Sequence, residues 1–233
     1  VQRQHLVAVP EQVQALVDQL RESAYYRRLD ETGRRRLQVL LPRLLRAATR
    51  MPNAAATLAR GLHVLERIGG RTVYLALLNE NAVARERLFE LCAHSQFLSD
   101  QIAAFPLLLD ELLDDRLFVT TPTRDELAQE LRNRMANCGA DDPEEQVEAL
   151  RQFQRAAMFR VAVPDLTGRL PLMKVSDRLT DLAELIVEET LELAWQQIVA
   201  RHGAPLCGPA DDRLRQAGII VVAYGKFGGI ELG

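Results

Sequence analysis

The sequence predicts a mainly α-helical protein whose helices lead into a single strand near the end of the chain. Three observations point there. Apolar residues recur at helical spacing from Pro10 to about Gly203. The composition is dominated by Leu, Ala, Arg and Glu with only 5% aromatic residues, and such side chains lose little freedom in a helix. One continuous β-branched run, Gly218-Ile-Ile-Val-Val-Ala223, stands apart as the strong strand signal, and its lack of alternation predicts burial on both faces.

Each element has its own signature. Val13, Leu16, Val17 and Leu20 form the first apolar stripe, and Leu37, Leu40, Leu41, Leu44 and Leu45 the second. Pro42 inside that second run predicts a kink or break near Leu41. Asn53 is placed to cap a helix reaching Ile68, which Gly69-Gly70 stops. Shorter segments follow at about 71–79, 81–93 and 95–113, punctuated by Asn81, Ser95 and Pro106. Thr123-Arg-Asp-Glu126 has capping-box spacing ahead of Leu127 and Leu131. Asp142-Pro143-Glu-Glu145 opens a helix with a cap, a first-position proline and acids in the first turn. That helix is expected to run to about Val163 and stop at Pro164. The longest helix is expected from about Ser176 to His202, ended by Gly203 and Pro205, with residues 204–217 as a loop. No internal repeat of solenoid period appears, because successive helices differ in length and signature.

Composition excludes several classes. With 233 residues, 48% hydrophobic and 26% charged, the chain is neither disordered nor low-complexity and can bury a sizeable core. A net charge of −3 gives no global footprint for nucleic acid. Cys92, Cys138 and Cys207 form no CxxC pair, so neither a disulfide framework nor a zinc site is expected, and a reducing cytoplasm is the simpler setting. No apolar run approaches the roughly 18–20 residues of a membrane span. The chain starts at Val1 rather than Met and stops just after a glycine-rich turn, which reads as a piece of a longer protein.

The chemistry concentrates at the end. A buried strand entering a turn with Gly225, Lys226, Gly228 and Gly229 suits phosphate handling, since glycines let backbone N–H groups approach and lysine supplies a point charge. Yet Lys226 precedes the second glycine, unlike a P-loop, and Ala223 stands where a dinucleotide fingerprint needs Gly. On spacing alone, a phosphate loop and a plain tight turn both stand. His63 and His94 read as surface or partly buried histidines. Glu184, Glu188, Glu189 and Glu192 recur as paired metal carboxylates would, but without Glu-x-x-His they read as a solvated face. Arg34-Arg-Arg36 reads as a solvated charge run. Cys92 reads as a buried small apolar residue, and Lys174 with Asp177 as caps of the long helix. Leu107-Leu-Leu109 with Leu112-Leu113 reads as core, or as a docking surface for a partner helix.

Tyr224-Gly-Lys-Phe-Gly-Gly-Ile-Glu-Leu-Gly233 resembles the G-K-L-G-G-x-E-L-G motif of the glutamine synthetase adenylyltransferases, bifunctional enzymes that add AMP to glutamine synthetase and remove it. Three upstream stretches resemble the same family: Arg71-Thr-Val-Tyr-Leu-Ala-Leu-Leu-Asn-Glu-Asn81, Phe105-Pro-Leu-Leu-Leu-Asp-Glu-Leu-Leu-Asp114, and Met173-Lys-Val-Ser-Asp177 with its helix through Leu193-Ala-Trp195. The resemblance runs from about residue 30 to the end. Ala223 and Phe227 depart from the family's usual Gly and Leu.

The resemblance implies a helical connector over residues 1–70. Residues 71–233 would be the N-terminal part of a truncated α/β nucleotidyltransferase domain of the adenylylating half, with helices over 71–203 and strand plus loop over 218–233. It implies nucleotide binding by Gly225, Lys226, Gly228 and Gly229, with ATP as substrate and Mg²⁺ as cofactor. The metal would be held by a Ser-Asp-x-Asp motif expected beyond Gly233, so this chain alone is expected to be inactive, with no catalytic or metal-ligating residue of its own. Glutamine synthetase and a PII signalling protein are the implied partners, with no nucleic acid and no membrane, in the cytoplasm. Two other readings are a non-catalytic helical interaction or scaffold module, and a nucleotidyltransferase acting on another protein or an RNA.

Overall fold

The computed structural model describes residues 11–139, 142–208 and 215–224, and of residues 215–216 only the backbone. The described residues are mainly helical, and they divide into two compact units at Thr120/Thr121. Among the described residues no helix is long and apolar enough to cross a membrane.

The first unit holds helices α1 (Glu11–Glu22), α2 (Ala24–Arg28), α3 (Glu31–Ala48), α4 (Ala54–Ile68), α5 (Thr72–Glu80), α6 (Ala82–His94) and α7 (Gln96–Ala104), then a 3-10 helix (Pro106–Leu113). The breaks expected at Asn81 and Ser95 are realised as caps: Asn81 accepts the Ala84 N–H at 2.9 Å and Ser95 the Leu98 N–H at 3.4 Å. Asp30, which the sequence reading did not single out, accepts the Gly33 N–H at 2.6 Å and caps α3. Asn53 precedes α4 as expected but makes no side-chain cap bond, whereas Gly69 ends α4 at φ 64°, a conformation glycine adopts without strain. Helix α4 is the hub, packing against α1, α3, α6 and α7, while α3 also packs on α5 and α6. Leu37, Leu40, Leu44, Leu58, Leu65, Leu75, Leu78 and Phe89 fill the core between them. Gly61 permits the close approach of α4 to α6: a Cβ there would lie 2.8 Å from Phe89 Cζ.

The break expected near Leu41 is not seen, and α3 runs through Pro42 to Ala48. Its leucine stripe is buried while Pro42 and Gln38 face solvent. The carbonyl of Gln38, which loses its helical partner to the proline, can therefore be met by water on the outer side, where helices open most easily.

The second unit is built from α8 (Arg124–Ala136), α9 (Pro143–Leu166) and α10 (Leu172–His202). The capping box at Thr123 and Glu126 is complete, and Asp142 accepts the Glu145 N–H at 3.0 Å. Leu127, Leu131, Leu150, Phe153, Ala157, Leu182, Leu185 and Leu193 form one apolar cluster shared by the three helices. Pro164 does not stop α9, which continues to Leu166; the Arg169 and Leu170 N–H groups then turn back onto the Pro164 carbonyl at 2.7 and 3.1 Å. Helix α10 starts four residues earlier than expected, so Lys174 and Asp177 lie inside it and neither caps it.

After α10, Leu206–Cys207 (β1) pairs antiparallel with Arg215–Gln216 (β2), where a loop was expected. The strand expected over 218–223 is not formed. No backbone ladder bond engages 218–224 among the described residues, and its apolar side chains are exposed. A strand exists only as a member of a ladder, and propensity alone cannot supply the neighbour.

Candidate functional site

The four glycine-loop candidates, Gly225, Lys226, Gly228 and Gly229, lie outside the described residues. What the structure describes is the approach to them. Gly203 ends α10 at φ 80°, the Ala217 N–H donates to the Pro205 carbonyl at 2.8 Å, and the chain then runs through Ile219, Ile220, Val221 and Val222 to Tyr224. These side chains are 54%, 87%, 54%, 63% and 85% exposed, respectively. The described residues leave this contiguous apolar run uncovered.

The weaker candidates resolve into structural roles. His63 and His94 are exposed, and His94 Nδ1 meets the Glu90 carbonyl at 2.9 Å. Cys92 is fully buried, and burial pushes its thiol pKa up to about 12, so it packs as a small apolar group. On α10, Glu184 and Glu188 face Arg124 of α8 at 3.6 and 3.2 Å. Glu192 accepts from Gln196 at 2.7 Å. Burial, and then the Glu192 carboxylate, hold Glu189 above the ordinary carboxylate range. Arg34 lies over the Tyr26 ring and donates to the Arg27 carbonyl, and Arg35 pairs with Glu31. Arg36 is not simply solvated: it donates to the Thr72 carbonyl at 2.8 Å and so ties α3 to α5. Leu108, Leu109 and Leu112 are core, whereas Leu107 and Leu113 are exposed.

Sequence reasoning missed Arg124 and Arg87. Arg87 donates to the Leu112 and Asp114 carbonyls at 2.7 and 2.9 Å and to Asp115 at 2.8 Å, holding the end of the 3-10 helix. Both act across long sequence separations, and no local pattern announces such partners.

Among the described residues no group of three or more His, Cys, Asp or Glu could hold a metal ion.

The family model described as glutamate-ammonia ligase adenylyltransferase matches residues 85–233 and so includes the glycine-rich loop. A Pseudomonas putida protein named bifunctional glutamine synthetase adenylyltransferase/adenylyl-removing enzyme is 48% identical over 214 residues, 92% of this chain and 22% of its own length. A protein of the same name from Pseudomonas aeruginosa is 47% identical over 92% of this chain and 22% of its own length. A third, from Shewanella oneidensis, is 43% identical over 94% of this chain and 22% of its own length. The chain thus spans about a fifth of the length of these curated relatives, and with the family match covering more than half of its residues it belongs to the glutamate-ammonia ligase adenylyltransferase family.

Proposed function

We propose that the chain is part of a cytoplasmic enzyme that transfers AMP from ATP to a tyrosine of glutamine synthetase and, in the full-length protein, removes it, regulating nitrogen assimilation under a PII signalling protein. The observation that carries this reading is that the family match runs through the glycine-rich loop to Gly233. The names of the relatives support it. In this reading residues 1–70 are the connector, and residues 71–233 begin a nucleotidyltransferase domain of the adenylylating half. Gly225, Gly228 and Gly229 allow the backbone to approach the nucleotide phosphates, and Lys226 neutralises phosphate charge. Magnesium, when bound, would neutralise developing phosphate charge, with its ligands supplied from outside this chain.

The test uses the gene product that carries these residues, with α-labelled ATP and glutamine synthetase. Label on glutamine synthetase is expected, and Lys226→Ala should lower kcat/KM for ATP by roughly 10–100-fold, the loss of one charge-assisted phosphate contact. The 233-residue chain by itself should transfer none. Absence of label from the whole gene product would overturn the reading and favour a non-catalytic helical module.

A further inference from the structure

Arg43, Arg46 and Ala47 of α3, Arg50 just after that helix, and Arg85 and Glu86 of α6 line a half-open depression of about 130 Å³. Four arginines and one glutamate therefore border one small surface depression. Two of the four have a structural duty. Arg43 donates to the Asn79 carbonyl, and Arg85 donates to the Leu78 and Asn79 carbonyls at 2.6 and 3.0 Å, so both satisfy the C-terminal end of α5.

Arg46 and Arg50 are not needed for that duty. Among the described residues Arg46 donates to the Pro42 carbonyl of its own helix, at 3.3 Å. Arg50 meets Glu86 at 3.4 Å, with both side chains largely exposed, a pairing worth little. Yet Arg43 and Arg46 stand at i and i+3 on α3, and Arg50 follows in the turn after Ala48, so three like charges gather at the C-terminal end of one helix. The cost is visible at Arg85, whose pKa is lowered by burial and then by Arg43 and Arg46, with Glu86 offsetting only part of it. A concavity bordered mainly by one sign of charge concentrates the field inside it. Each guanidinium carries five donors, and the bonds named above use few of them.

We propose that this cavity is a binding site for a phosphate group, held by Arg46 and Arg50 with Arg43 and Arg85 behind them. An excess of three positive charges matches a phosphate dianion better than a single carboxylate. The cavity has room for a tetrahedral oxyanion and a few waters, and guanidinium forks bind phosphate oxygens in pairs. The site belongs to the first unit and does not depend on the activity proposed above.

Isothermal titration of the 233-residue chain with inorganic phosphate and, separately, with glycerol phosphate, at constant ionic strength, tests it. Saturable one-to-one binding of phosphate is expected, weakened at least 10-fold in the Arg46→Gln/Arg50→Gln double variant. That variant keeps the Arg43 and Arg85 bonds to α5, and its helical circular dichroism should be unchanged. Equal or tighter binding of glycerol phosphate identifies a phosphate ester as the ligand class, and binding of phosphate alone identifies the free anion. The proposal is overturned if potassium chloride or acetate at the same ionic strength gives the same heat and stabilisation, or if the folded double variant binds phosphate as the native chain does.

Discussion

Thr57 offers a direct test of how the hub helix α4 is held. Its side chain is fully buried, its backbone N–H is satisfied by the Asn53 carbonyl at 2.8 Å, and its hydroxyl has no hydrogen-bond partner among the described residues. A buried polar group left unpaired costs about 1–3 kcal/mol. Valine has the same shape, and valine and threonine have similar helix propensities, so Thr57→Val removes the penalty and little else. We expect a gain of about 1 kcal/mol, which for a unit of this size raises the melting midpoint by roughly 2–6 °C. Thr57→Ser keeps the hydroxyl and removes a buried methyl, a loss of about 0.8 kcal/mol or more. The stability order should therefore be valine above threonine above serine, read by circular dichroism melts and by urea midpoints with unchanged slopes. A valine variant at or below native stability would refute the reasoning, because it would mean that the hydroxyl contributes rather than costs.

Thr123→Ala should destabilise the second unit by about 1 kcal/mol, since Thr123 accepts the Glu126 N–H and Glu126 returns a bond to the Thr123 N–H at 2.8 Å; urea denaturation measures it, and an unchanged midpoint counts against the box as a stabilising device. Glu189→Gln should be more stable than the native chain at pH 7. The folded-state pKa of Glu189 is raised, so its charged form is penalised above that pKa and the advantage of Gln fades as pH falls through the carboxylate range; urea midpoints at neutral pH and near pH 4 read the difference. Backbone amides of 218–224 should exchange with solvent hydrogen quickly, because no ladder bond engages them among the described residues; strong protection measured by mass spectrometry would contradict this.

The helices were legible because their causes are local. Asn81, Ser95, Thr123 and Asp142 sit within three residues of the N–H groups they accept, so local spacing points to them. Pro42 and Pro164 misled for the complementary reason. Their effect depends on which side of the helix carries the orphaned carbonyl and on how the chain turns after the proline, which are tertiary facts. The arginines divide in the same way. The i, i+3, i+7 spacing of Arg43, Arg46 and Arg50 can be read in the sequence, but that Arg85 comes from another helix to face them cannot. Likewise Arg124 reaches Glu188 across 64 positions.

The strand-to-loop segment shows the other limit of local reasoning. Successive residues of an extended chain point to opposite faces, so Ile219 and Val221 would serve one face and Ile220 and Val222 the other. Covering both faces would be worth on the order of 5 kcal/mol, from about 1.5–3 kcal/mol for each fully buried side chain less what is already shielded. That is comparable with the roughly 5–15 kcal/mol net stability of a whole domain. The β-branched run therefore encodes a demand for two neighbouring surfaces, and the described residues show the demand unmet, with Ile220 87% exposed. The nucleotide-loop candidates begin one residue after Tyr224, so whatever surface covers this run also fixes the direction in which the chain reaches Gly225. Cover for the strand and placement of the loop are then one event. For this reason the chemistry of the segment can be read from its residues, while its geometry depends on neighbours that its residues only call for.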